Sequence, residues 1–73
     1  MNTYETLELL ERVKPSKIIE IFKARQTSFE HDSDYNVDTY TIDGFMLEIW
    51  NNEKYLEVSS AGLGKWGSFK KEF

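Results

Sequence analysis

The chain has 73 residues, no cysteine and a formal net charge of −4 at pH 7. This length predicts one domain near the lower limit for a single hydrophobic core, and without cysteine neither disulfides nor thiolate metal sites can form. The negative charge disfavours partners that are recognised through phosphates, so we expect neither a nucleic-acid nor a membrane partner. No apolar run reaches the ~20 residues of a membrane span and no signal peptide is evident, which favours a soluble cytoplasmic protein.

The N-terminal part of the sequence predicts two helices. Asn2 followed by Glu5 has the spacing of an N-cap and its capping-box partner, and apolar residues then recur at helical spacing, which predicts a helix over about 3–12. Pro15 interrupts this pattern and suits the start of a second helix, predicted over about 16–29. The second helix carries a broad apolar stripe that favours packing on both the sheet and the first helix. The stripe consists of Ile18, Ile19, Ile21, Phe22, Ala24 and Phe29.

The middle of the chain predicts an antiparallel meander around a central strand. Asp43-Gly44 is the strongest turn signal, because a two-residue hairpin of the primed type needs positive φ at both central positions, which Asp tolerates and Gly adopts freely. This turn joins strands predicted over about 37–42 and 45–51. The predicted pairs are Ile42 with Phe45, Thr41 with Met46, Tyr40 with Leu47, Thr39 with Glu48, and Val37 with Trp50.

The second turn of the meander follows from the alternation of apolar residues. The apolar residues of the central strand stand mainly at odd positions whereas Leu56 and Val58 stand at even positions, so only a loop of even length keeps them on one face. A two-residue loop at Asn52-Glu53 meets this condition and starts a third strand over about 54–60. Because Glu is a poor second residue for a primed turn, a four-residue loop with a shifted register is the alternative.

A turn by composition follows the third strand, and the next residues predict a fourth strand over about 65–70, although Gly67 weakens the pattern. A four-residue loop over 61–64 would place Phe69 on the core face opposite Leu56. The predicted fold is therefore α+β in a single domain that spans the chain. It has two N-terminal helices packed on one face of a three- or four-stranded antiparallel β-meander.

A polar loop is predicted between the second helix and the meander, over 31–36. It offers oxygen ligands with the alternate spacing of a calcium loop, at Asp32, Asp34 and Asn36. Val37 stands where such a loop needs Gly and Asp43 where it needs a bidentate Glu, so a solvated acidic loop is the simpler interpretation. His31 is the only histidine and has no nucleophile motif beside it, so we expect no enzymatic activity, no catalytic residue, no metal and no cofactor.

Aromatic and acidic residues are predicted on the sheet face that the helices leave uncovered. The two turns place Trp50 beside Tyr55 and Glu48 beside Glu57 on this face. Trp, Tyr and Met are enriched at interfaces, so an exposed patch of this kind indicates a binding site. Two adjacent carboxylates repel each other, which predicts a neutralising cation from Lys70 or Lys71 or from a partner. The predicted binding residues are Met46, Glu48, Trp50, Tyr55, Glu57 and Trp66.

These patterns favour a non-enzymatic, acidic protein-binding module of the inhibitor or adaptor type, such as phages and mobile elements carry. It would dock the uncovered face on a basic or mixed surface of another protein. One alternative is a structural homodimer that pairs through this face or through an edge strand, and another is a cation-responsive module that uses Asp32–Asp38. In a third alternative, Phe73 and the C-terminal tail fold back over the aromatic rings.

Overall fold

The computed structural model describes residues 2–61 and 67–73, which contain two helices followed by a five-stranded antiparallel sheet. The strands lie in the sheet in chain order, so each strand pairs with its neighbour in sequence. The predicted α+β class is confirmed, but the sheet has five strands rather than three or four. The elements are α1 (Thr3–Glu11), α2 (Pro15–Arg25), β1 (Ser28–Asp32), β2 (Val37–Ile42), β3 (Phe45–Trp50), β4 (Tyr55–Ser60) and β5 (Ser68–Glu72).

Both ends of α1 have side-chain caps. At the start, Asn2 Oδ1 accepts from the backbone N–H of Glu5 at 2.8 Å and Glu5 Oε1 accepts from the N–H of Asn2 at 3.4 Å, which is the predicted capping box. At the other end, the ammonium group of Lys71 donates to the backbone carbonyls of Glu11 and Val13. A residue of the last strand therefore satisfies the end of the first helix.

The second helix is shorter than the sequence pattern predicted, because it ends at Arg25 rather than near Phe29. Thr27 diverts the chain towards the sheet: its backbone N–H and its hydroxyl both donate to the carbonyl of Thr41, at 2.7 and 3.0 Å. The residues of β1 were predicted as the end of a helix and the start of a loop. All five instead pair with residues of β2.

The first predicted hairpin is present with the predicted register, from Ile42 opposite Phe45 to Val37 opposite Trp50. Its turn differs from the primed geometry, since Gly44 adopts a φ of 77° whereas Asp43 does not have positive φ. A Cβ on this glycine would meet no atom within 4 Å, so the backbone conformation and not the space requires glycine here.

The second hairpin also keeps the predicted register, with Trp50 opposite Tyr55. Its loop, however, has four residues, 51–54, because the strands end at Trp50 and begin again at Tyr55. Lys54 takes the left-handed conformation with a φ of 62°, and its N–H donates to the carbonyl of Trp50 at 2.8 Å. Glu53 therefore does not need the positive φ of a primed turn. The register between β3 and β4 is not shifted.

The fourth predicted strand exists as β5, but its register differs from the prediction by two residues. Phe69 lies opposite Val58 rather than Leu56. A shift of two preserves the face, so Phe69 still packs against the core. Phe73 continues the edge of the sheet, since its N–H donates to the carbonyl of Lys54, and the tail does not cover the aromatic rings.

The core lies between the helices and one face of the sheet. Helix α1 lies against β4 and β5, while α2 lies against β2. The two central-strand residues predicted to face the helices, Leu47 and Ile49, are both buried there. The buried cluster consists of Leu7, Ile18, Phe22, Tyr40, Leu47, Ile49, Leu56 and Val58.

Candidate protein-binding face

The sheet face turned away from the helices carries three rows of side chains, because directly paired residues of antiparallel strands point to the same side. We call this surface the free face. Its described residues carry five carboxylates and one ammonium group, so the surface is acidic. The rows are Asp32, Val37, Trp50, Tyr55 and Glu72; then Glu30, Thr39, Glu48, Glu57 and Lys70; then Ser28, Thr41, Met46, Ser59 and Ser68.

A stack of two aromatic rings lies in the row at one end of the free face, on the neighbouring strands β3 and β4. The rings of Trp50 and Tyr55 are nearly parallel, at 10°, with centroids 5.8 Å apart. Val37, which lies opposite Trp50, is only 5% exposed although the helices are on the other side of the sheet. The stack is half-buried and Met46 is 39% exposed. The free face therefore combines a small apolar cluster of its own with large side chains that a partner can reach.

The predicted conflict between two carboxylates is present, since Glu48 pairs directly with Glu57. Burial raises the pKa of the Glu48 carboxyl and the charge of Glu57 raises it further, while the indole of Trp50 opposes this shift. The indole contribution is weak, because Trp50 Nε1 is buried and has no partner within hydrogen-bond geometry among the residues described. Glu48 is therefore held in a place that disfavours its charge.

Lys70 only partly relieves this conflict. It pairs with Glu57 across β4 and β5, whereas the predicted register placed it beside Tyr55. Its ammonium group lies 5.2 Å from the centroid of the Tyr55 ring, and no ion pair with Glu57 is present in the described part of the chain. The neighbouring Lys71 is occupied at the end of α1. The carboxylate pair thus keeps an unmatched negative charge.

Strand β1 adds a depression to the free face that the sequence analysis missed. The strand brings Glu30 beside Thr39, and the loop that follows it brings Tyr35 to the same side as Trp50. The residues that β1 places on this side are all polar, so no apolar alternation distinguishes the strand from a loop in the sequence. The depression is lined by Glu30, His31, Asp32, Ser33, Tyr35, Val37, Thr39, Glu48 and Trp50.

A hydrogen-bond network fixes the end of the sheet beside this depression. His31 Nδ1 donates to Asp38 Oδ1 at 2.6 Å, since an ionised carboxylate can only accept. Asn51 Nδ2 donates to Asp38 Oδ2 at 3.0 Å and to the carbonyl of Asn36 at 2.9 Å. Burial alone would raise the pKa of Asp38, but the bonds from His31 and Asn51 outweigh it and lower the pKa. The network ties the β1–β2 loop to the β3–β4 loop.

Two carboxylates of the acidic segment, those of Asp32 and Asp38, have partners within the chain. Asp32 Oδ1 accepts from the backbone N–H groups of Asp34 and Tyr35, at 2.9 and 3.2 Å, and so closes an Asx turn. Asp38 is held by His31 and Asn51. Over residues 2–61 and 67–73, no three His, Asp or Glu side chains converge as metal ligands do. The geometry gives the cation-responsive alternative no ligand set among these residues.

A second concavity lies on the helix side, between α1, α2 and the β2–β3 hairpin. It has a volume of about 570 Å³ and is mostly apolar. None of the predicted binding residues lines it. The concavity forms where three elements meet, so no single segment of the sequence indicates it. Its lining is Thr6, Leu9, Leu10, Val13, Ile21, Phe22, Arg25, Thr27, Ile42, Asp43 and Phe45.

Most of the predicted binding residues share one surface. Five of the six lie together on the free face, and the sixth, Trp66, lies outside the described residues.

Neither α1 nor α2 has the length and apolarity needed to cross a bilayer. Comparison with protein-family models, with curated proteins and with solved structures found no match. The functional inference therefore rests on the geometry of this chain.

Proposed function

We propose that the protein is a small acidic, non-enzymatic protein-binding module of the inhibitor or adaptor type, which acts in the cytoplasm. It docks its free face on a basic or mixed surface of another protein. One observation supports this proposal above all: the Trp50–Tyr55 stack and the unbalanced Glu48–Glu57 pair occupy the same uncovered sheet face. Aromatic anchors surrounded by charged groups are typical of the energetic centre of protein interfaces.

The charges of the free face favour a basic partner. A cationic side chain placed over Glu48 and Glu57 would relieve their mutual repulsion, and the flanking rings would exclude water from the ion pair. The rings would contribute most of the affinity, because large aromatic side chains bury much area and the stack already restricts their rotamers. The carboxylates would mainly select the partner and speed the encounter.

A second copy of the chain is a less suitable partner. Two free faces brought together would set one excess of carboxylates against another. Pairing of two β1 edges has the same difficulty, since this strand carries Glu30 and Asp32. Sedimentation velocity at low micromolar concentration is expected to show a monomer, and a stable dimer that Trp50→Ala dissociates would support the homodimer instead.

The proposal is tested by affinity capture from the source cell, followed by titration calorimetry with the partner that is identified. Trp50→Ala is expected to weaken binding by at least about 30-fold, equivalent to ~2 kcal/mol, while the fold stays intact. The matched control is Tyr4→Ala, which truncates an exposed aromatic side chain of α1. Reversing Glu48 and Glu57 to Lys is expected to weaken binding further. Amide-shift changes confined to the helices, with the free face unperturbed, would contradict the proposal.

A further inference from the structure

The depression beside β1 has the chemistry of a cation-recognition site. Its walls include two aromatic side chains, Tyr35 and Trp50, and its lining includes carboxylates from two different strands, Glu30 of β1 and Glu48 of β3. Tyr35 is strongly exposed, so its ring is accessible to a visiting group. Aromatic faces and carboxylates both attract cations, the former through the ring quadrupole and the latter through full charge.

We infer that this depression seats the guanidinium group of an arginine side chain carried by the protein partner. The inference rests on the proposed function, which it deepens by naming the group that the free face recognises. The planar guanidinium group would lie against an aromatic ring and direct its N–H groups to the carboxylates of Glu30 and Glu48. The depression thereby gives one end of the free face a specific contact, while the Trp50–Tyr55 stack supplies area.

Arginine suits this depression better than the other cations that a cell offers. A metal ion needs converging ligands, and within the described part of the chain no such set is present, with His31 occupied by Asp38. A lysine ammonium is a compact, strongly hydrated charge that cannot stack on a ring while it forms a forked contact with a carboxylate. The raised pKa of Glu48 agrees with a carboxylate that lacks a counter-ion in the free protein.

The two strands that supply the carboxylates are held in place without the ligand. Strand β1 pairs with β2 over its five residues, and β2 pairs with β3 over six. The network of His31, Asp38 and Asn51 fixes the loop that carries Tyr35 relative to the β3–β4 loop. Preorganised groups lose little freedom on binding, so even the isolated arginine side chain is expected to bind measurably, although weakly.

The test is a titration of isotope-labelled protein with acetyl-arginine amide, followed by amide and indole shifts in NMR spectra. Saturable shifts are expected at Tyr35, Glu48 and the indole N–H of Trp50. Nα-acetyl-citrulline amide, the neutral isostere, is expected to give none. Nα-acetyl-lysine amide, whose side-chain ammonium is free, is expected to bind more weakly. Glu48→Gln should weaken arginine binding by about two- to fivefold, as for a partly exposed ion pair. Glu53→Gln, an exposed acid of the neighbouring loop, is the matched control and should change nothing.

Two results overturn the inference: the absence of saturable shifts at the depression, or citrulline shifts equal to those of arginine. Equal affinity for the lysine compound would overturn the choice of a guanidinium group. If arginine amide fails to bind while Trp50→Ala still weakens partner binding as expected above, the arginine site is wrong and the proposed function stands. If arginine amide binds at the depression while Trp50→Ala binds the partner like wild type, the site stands and the proposed docking face is wrong.

Discussion

Glu48 couples the charge of the free face to the stability of the sheet. Burial and the neighbouring Glu57 raise the pKa of its carboxyl above the ordinary value of 4.5. The folded protein therefore holds this proton more tightly than the unfolded chain does. The resulting stabilisation is complete below the ordinary pKa and is lost as the pH rises through the raised pKa of the folded state. At neutral pH the charged side chain opposes folding.

Glu48→Gln is accordingly expected to stabilise the protein at neutral pH, by about 0.2–1 kcal/mol, the range of a cross-strand pair. The gain should vanish below the ordinary Glu pKa of 4.5, because Glu48 is then protonated in both states. Urea unfolding of wild type and variant at the two pH values measures the difference. A gain that persists in acid would show that glutamine acts through packing and not through charge.

Leu47 and Trp50 differ in the same strand because they point to opposite faces. Leu47 is fully buried against the helices, so Leu47→Ala should lower the free energy of unfolding by about 2–5 kcal/mol. Trp50→Ala should cost clearly less, since the ring is half-buried on the free face, where it stacks on Tyr55 and lies opposite Val37. Thermal and urea unfolding compare the two variants. Equal losses would mean that the faces are wrongly assigned.

At the scale of elements, the sequence was most informative where side chains alternate strictly. The Asp43-Gly44 signal predicted the register of the first hairpin, and the odd positions of β3 with the even positions of β4 predicted that of the second, although the turn conformations differed from those expected. Strand β1 offers no such alternation, because all five of its residues are exposed. Lys23 and Arg25 lie in the last turn of α2, but Phe29 extended the apparent helical stripe beyond them. Its ring instead packs on Tyr40, with centroids 4.8 Å apart.

Lys71 provides a test of how the elements are joined. Lys71→Met keeps most of the aliphatic stem but removes the donors to the carbonyls of Glu11 and Val13. We expect a loss of about 1–3 kcal/mol in the free energy of unfolding, as for hydrogen bonds to a charged group. Lys70→Met, on the free face, is the control and should cost less. Hydrogen exchange should accelerate at the last turn of α1 in the first variant alone.

At the scale of the molecule, the two-layer arrangement was predictable but the full extent of the free face was not. Met46, Glu48, Trp50, Tyr55 and Glu57 were grouped correctly on one surface, because two registers were correct. The depression was not predicted, because Glu30 and Tyr35 line it and belong to β1 and the loop after β1, a strand that the sequence pattern did not indicate. The register of β5 differs from the prediction because Ser59 pairs with Ser68 and the N–H of Ser60 donates to the carbonyl of Gly67, which the composition of the preceding turn did not indicate.

The contact of Lys71 with the end of α1 also bears on the order of events during synthesis. Each strand of the sheet pairs with the strand made just before it, so the meander can grow as residues leave the ribosome. The carbonyls of Glu11 and Val13 receive their hydrogen bonds from Lys71 only later, because this donor lies 60 and 58 residues further along the chain. Helix α1, although it precedes the sheet in the chain, is thus expected to reach its final contacts only after β5 is in place.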